Sequence, residues 1–320
     1  MSVLHRFANL FRRDACVIER LGRASIAWNP HHTIYLREYY RYCVDLFRQA
    51  LANEDVPVNV IFGRYDVDFA NNRRTRRVDI QHEHTLVKPG GRDSDGAPEG
   101  RIPLADGCAH YLVRIAHRDY LETLDAVIDY SLPNLINLRA SGLFPDLLRK
   151  CVHVSALLYD ADLATKSRDV PMMTLIHDTN QPRRRRFFDA ARAARLPLRN
   201  VRGTFDAAQL RRQYDRTRIL VNLHQTDHHD TFEELRVLPA LLRGVVVVSE
   251  DVPLREQIPY HQAIVWCRYD DLVATAQAVH ADYDRYRARL FDETGIAAVF
   301  ETMRRNDRIS IAQIVRQWCD

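Results

Sequence analysis

Apolar residues recur along this chain in two rhythms, and over most of its length the two alternate. Spacing of three to four residues lays a stripe along a helix, whereas a short unbroken run of branched side chains suits a strand buried on both faces. The second half shows this plainly. Residues 172–176, 198–201, 219–223, 245–248 and 263–266 are predicted strands. Helices are predicted over 182–196, over 206–215 with Asp206 as the N-cap, over 232–243, and from Asp270 onward. Pro182 suits a first helical turn and Gly244 a helix end. Strands of this kind alternating with helices make a parallel sheet covered on both faces, with its ligands beyond the carboxyl ends of the strands.

The first half alternates less regularly. Residues 1–24 carry apolar side chains near helical spacing with Arg6, Arg12, Arg13 and Arg20 between them, so an amphipathic helix is expected, either packed on its own domain or lying on a membrane surface. A helix over 33–53 precedes a buried strand over 57–62 that stops at Gly63. Further strands are expected over 78–82, 111–115, 126–130 and 152–158, with a helix starting at 131–134. Between them, residues 88–107 hold eight glycines and prolines, which predicts a long functional loop. The expected fold class is therefore α/β, two Rossmann-like doubly wound lobes facing a cleft. Residues 1–165 form the first domain and 166–305 the second, with 306–320 a terminal helix returning onto the first.

Composition narrows the functional classes. Of 320 residues, 46% are hydrophobic and 28% charged, which excludes a disordered or collagen-like chain. No apolar run reaches the roughly 18 residues of a bilayer-spanning helix, and the N-terminus lacks a signal-peptide core, so a cytoplasmic setting is expected. Six cysteines are widely separated without a C-x-x-C pair, unlike a disulfide scaffold or a zinc ribbon. The 46 basic residues, all but three of them arginine, exceed the acidic ones by only four, so nucleic acid is not the expected default partner.

Candidate chemistry gathers at the predicted strand ends. After the strand over 219–223 comes a polar loop, then a helix opening on Glu233, Glu234 and Arg236. Helix N-termini attract anions, and a carboxylate in that position accepts paired ribose hydroxyls in dinucleotide sites; equally, acidic first-turn residues simply stabilise a helix. The loop at 177–186 ends in four consecutive arginines, Arg183 to Arg186, suited to a diphosphate or to a solvated helix face. His224, His228 and His229 with Asp227 and Asp230 are of metal-ligand type, but their spacing on a loop defines no metal geometry. No G-x-G-x-x-G follows a strand, which argues against a Rossmann dehydrogenase.

The run Asn222-Leu-His224, the helix from Glu233 to Gly244 and the valine-rich strand ending at Glu250 resemble the donor-binding part of glycosyltransferases of the GT-B fold, over about residues 170–290. That resemblance implies a sugar transferred from a nucleotide-sugar to a hydroxyl acceptor, on a glycan, a lipid or a modified nucleobase. It implies donor contacts from Thr179, Asn180, Arg184, Asn222, His224, Glu233, Glu234, Arg236 and Glu250, with Arg184 neutralising the leaving diphosphate. It also implies that no divalent metal or other cofactor is needed. Retaining members carry two glutamates eight positions apart; here those positions hold Thr231 and Pro239, so inversion and retention both stay open. For the acceptor proton, His84 or Glu83 in the run Gln81-His-Glu-His84 is the expected base. The alternative function is a non-catalytic, or otherwise Rossmann-type, nucleotide-binding protein.

Overall fold

A computed structural model describes residues 16–31, 36–82, 85–87, 100–103, 110–204, 206–228 and 230–318. The first lobe is built on a six-stranded sheet. Its strands are β1 (Val17–Leu21), β2 (Ala24–Trp28), β3 (Val58–Phe62), β4 (Arg74–Gln81), β8 (Ala126–Asp129) and β9 (Cys151–His153), paired in that order. Only β1 runs antiparallel; the remaining pairs are parallel. Between β4 and β8 the chain forms a three-stranded antiparallel sheet of β5 (Leu86–Val87), β6 (Gly100–Pro103) and β7 (His110–Val113).

Both faces of the first sheet are covered. Helix α1 (Arg37–Glu54) buries Tyr39, Tyr40, Cys43, Val44 and Phe47 against one face. Helix α2 (Leu132–Ser141) and the small sheet close the other with Leu86, Val113 and Leu138. Strand β8 shows the alternation directly: Ala126 and Ile128 join the first cluster and Val127 the second.

The second lobe holds β10 (Val170–Thr174), α3 (Pro182–Ala193), β11 (Leu198–Asn200), α4 (Ala207–Arg216), β12 (Thr217–Asn222), α5 (Glu234–Leu242), β13 (Val246–Glu250), β14 (Ile264–Cys267) and α6 (Leu272–Ala281). All of its strand pairs are parallel, in the order β11-β10-β12-β13-β14. This is a doubly wound sheet whose direction reverses between β10 and β12, the position where open α/β sheets form a ligand crevice. Asp206 caps α4 by accepting a hydrogen bond from Gln209 N at 2.8 Å. Val246, Val247 and Val248 are fully buried.

Helix α7 (Ile296–Gln317) packs along α1 of the first lobe. Trp318 stacks on Phe47 with ring centroids 5.9 Å apart. Asp307, almost fully buried, accepts hydrogen bonds from Ser155 N at 3.0 Å and from the Tyr42 hydroxyl at 2.9 Å. Burial pushes its carboxyl up to about 6. Among the described residues no helix is long and apolar enough to cross a membrane.

Three sequence expectations are corrected. Residues 17–21, placed in the helix over 1–24, form β1, because Gly22 (φ 58°) turns the chain and the buried strand Ala24–Trp28 offers an edge to pair with; residues 1–15 lie outside the described ones. The long loop over 88–107 is interrupted by β6, which pairs with β7. The strand over 152–158 ends at His153. Pairing between distant segments decides each case, and local pattern does not record it.

Asp307→Ala should destabilise the protein by about 1–3 kcal/mol, the cost of leaving buried donors without an acceptor. Asp307→Asn, which keeps an acceptor, should cost less. Urea unfolding checks both; an alanine variant as stable as the parent would remove this contact from the account.

Candidate functional site

The crevice at the reversal point is a cavity of about 490 Å³ walled by both lobes. The first lobe contributes Leu36, His82 and Tyr130. The second contributes His177, Asp178, Arg184, Arg202, Gln225, Glu233 and Arg236 from the loops and helix starts beyond β10, β11 and β12.

Glu233 caps α5 with non-helical dihedrals, which lets its carboxylate turn back toward β12. There Asn222 Nδ2 donates to it at 3.0 Å, and His224 Nδ1 lies 3.2 Å from its other oxygen. The same Asn222 accepts from Arg236 Nη1 at 2.8 Å and donates to Ser249 at 3.0 Å, so one buried amide fixes both charged residues of the wall. Burial opposes a charge on His224, but Glu233 and then Glu250 outweigh it and raise its pKa to about 9. His224 is therefore an imidazolium at neutral pH, and it consumes the charge of Glu233.

Arg184 is only 6% exposed. Its Nη1 donates to Asp178 O at 3.0 Å, whereas its Nε has no partner among the described residues. Burial, then the charge of Arg236, pulls its pKa down to about 10. The wall thus presents two arginines that repel one another, beside a carboxylate already neutralised by a histidine. An anion of two charges relieves both the repulsion and the desolvation.

The predicted donor residues separate into groups. Arg184, Glu233 and Arg236 line the cavity. Asn222 and His224 stand behind them. Thr179 and Asn180 face an adjoining groove, where Thr179 accepts from Arg202 at 2.9 Å. Two residues are turned elsewhere and do not line the cavity. Glu250 forms a two-pronged ion pair with Arg183 and accepts from His224 N at 3.0 Å. Arg183 is further held by Asp227 at 2.7 Å and by the Tyr269 ring at 3.8 Å, so it braces the lobe. Glu234, one helical step past Glu233, is buried in the lobe interface, where Tyr260 donates to it at 2.7 Å. Glu83, His84 and His229 lie outside the described residues. Among those described, no three His, Cys, Asp or Glu side chains gather as a metal site.

Sequence reasoning missed the contacts that set one lobe against the other. Thr231 Oγ1 accepts from Thr85 N and Leu86 N, both at 3.1 Å, fixing the start of β5 to the loop before α5. Thr85 in turn donates to Asn134 at 3.0 Å, and Asn134 donates to the fully buried Asp129 at 3.0 Å. Apart from Asn134 and Asp129, five residues apart, these pairs are separated by 49 to 146 residues and leave no local signal.

No family model matches the chain. A quarter of it, 86 residues, is 35% identical to the uncharacterized protein R358 of Acanthamoeba polyphaga mimivirus, and the match spans 31% of that protein. Among solved structures, TarM aligns with 91% of the chain at a TM-score of 0.44 and 10% identity, and the chain spans 58% of it. An alpha1,3-fucosyltransferase with GDP aligns with 79% of the chain at 0.36 and 11% identity, covering 77% of that structure. CalG4, the calicheamicin glycosyltransferase, aligns with 89% at 0.34 and 14% identity, covering 78% of that structure. Two α/β lobes with a cavity between them, beyond the strand ends of the second, form a GT-B-like fold.

The buried acids give a pH test. Burial pushes Glu234 up to about 7, from an unfolded value near 4. A carboxyl raised in the folded state contributes stability in full below about pH 4, and that contribution is lost as the pH rises through 7. Glu234→Gln keeps an acceptor for Tyr260 and carries no charge. Its melting temperature relative to the parent should therefore rise between about pH 5 and pH 8. Calorimetry at both pH values decides; a constant difference would mean that Glu234 titrates normally.

Proposed function

We propose that the cleft binds a nucleotide-activated sugar and that the protein transfers the sugar to a hydroxyl acceptor. The observation that carries this reading is the pair Arg184 and Arg236, the first buried with an unpaired Nε, at the crevice of the doubly wound lobe. The resemblance of residues 170–290 to GT-B donor sites supports it.

In the proposed reaction an acceptor oxygen forms a bond to the anomeric carbon while the bond from that carbon to the donor's phosphate oxygen breaks. The electron pair leaves with the diphosphate, where charge accumulates, and fixed cations aimed at that charge lower the barrier. Arg184 and Arg236 take this role. Because Asn222 and His224 hold Arg236 and Glu233 in place, little reorganisation is needed as the charge develops. The acceptor proton passes to a base on the first lobe. His82 stands in the cavity wall, next in sequence to the expected Glu83 and His84. A ribose or sugar hydroxyl would donate to Glu233.

A nucleoside diphosphate, UDP or GDP, should raise the melting temperature without added divalent metal. Binding at a hundred times the Kd stabilises by about 2.7 kcal/mol, which amounts to several degrees. Arg184→Met should melt no lower than the parent, since it removes a repelled buried cation, and should lose roughly tenfold or more in affinity, as expected for about 1.5–3 kcal/mol of charged hydrogen bonding. Protection that requires manganese or magnesium, or an Arg184→Met variant that binds as well as the parent, would overturn the reading. Protection without any turnover of a nucleotide-sugar panel would instead identify a non-catalytic nucleotide-binding protein.

A further inference from the structure

Charge is distributed unevenly along this chain. Residues 182–216 hold eleven arginines against three aspartates, a net +8, whereas the whole chain is only +4. The segment comprises α3, the edge strand β11 and α4, so the excess lies along one margin of the second lobe. Six of these arginines, Arg185, Arg195, Arg199, Arg202, Arg211 and Arg212, are exposed and make no ion pair among the described residues. An ordinary solvated surface intersperses both signs; here acids offset only some of the arginines, Asp189 pairing with Arg192 and Asp169 with Arg216.

The margin also has a shape. A groove of about 490 Å³ runs between α3 and β11. Arg185, Phe188, Asp189 and Arg192 line it, and their spacing of three, four and seven residues places them on one face of α3. Arg202 lines both this groove and the cleft cavity, so the two adjoin.

We infer that this groove binds a linear polyanion, a glycan-type chain bearing sulfate or phosphate groups, and leads it toward the cleft. Two arginines two turns apart on α3, with a third at the mouth of the cavity, match anionic groups repeating along an extended chain. Single-stranded nucleic acid fits less well, because its sequence-tolerant binding needs several aromatic faces for the bases. The groove offers one, Phe188, already packed edge-on against Phe187. An anionic membrane fits less well too. The large exposed apolar side chains of the described residues, Val17, Ile18, Leu143 and Ile309, all lie outside this segment. That the chain serves as the acceptor rests on the sugar-transfer reading; that it binds does not.

The test uses a sulfated glycosaminoglycan oligosaccharide of defined length as the probe, titrated without nucleotide. Affinity should fall roughly tenfold between about 50 and 200 mM salt, as release of counterions from a few contacts requires. Arg185→Ser with Arg192→Ser should weaken binding about tenfold while nucleoside-diphosphate protection stays intact. Arg192 pairs only with Asp189 at an exposed site, so folding should be unaffected; Arg185→Ser alone, with a smaller loss, is the reserve variant. Arg211→Ser with Arg212→Ser removes the same charge on α4 and should weaken binding less than threefold. Equal losses in the two double variants would overturn the inference. So would equal binding of an uncharged oligosaccharide, or equal or tighter binding of single-stranded DNA or of phosphatidylserine vesicles.

Discussion

The organisation of the cleft depends on how a single carboxylate is neutralised. Glu233 lies between the amide of Asn222 and the charged ring of His224, and that pairing consumes its charge inside the protein. Had Glu233 paired with Arg236 or Arg184 instead, the wall would be a closed salt bridge with nothing to offer a ligand. As built, Arg236 is anchored through a neutral oxygen of Asn222, and Arg184 through a backbone carbonyl. Glu233 and Asp178 only partly offset the burial of Arg184 and its repulsion by Arg236, which is costly in the absence of an anion. Arg183, their neighbour in sequence, has Glu250 and Asp227 as partners and braces the lobe.

A cavity shared between lobes requires that the lobes be held. Two buried polar contacts do this: the Thr231 hydroxyl beneath Thr85 and Leu86, and Asp307 on the returning helix α7. Hydrogen bonds are directional where apolar packing is not, so such contacts fix the relative placement of two surfaces that apolar burial only holds together. Glu233 and Glu234 divide the labour across the helix boundary, the non-helical cap Glu233 serving the cavity and the first helical residue Glu234 the interface.

Much of the second lobe was legible in the sequence. Most of its strands carry apolar runs, and Pro182, Asp206 and Gly244 mark helix ends by known stereochemistry. The arginine-bearing loop and the Glu-Glu-Leu-Arg turn were visible as charged segments at strand ends. Which of their side chains share a cavity was not. Arg183 and Arg184 are adjacent and alike, yet one is paired and the other is not, because Asp227 and Glu250 lie 44 and 67 residues away. The first lobe was harder to read. Val17–Leu21 has helical spacing but pairs as an edge strand, and β6 sits in a glycine- and proline-rich stretch that reads as loop. In both places partners brought by the fold override local preference.

The most direct measurement is a crystal structure of the protein with a bound nucleoside diphosphate. The account predicts the diphosphate between Arg184 and Arg236, an oxygen within hydrogen-bonding distance of Arg184 Nε, and the ribose facing Glu233. A diphosphate held elsewhere, with Arg184 Nε still unpaired, would contradict it.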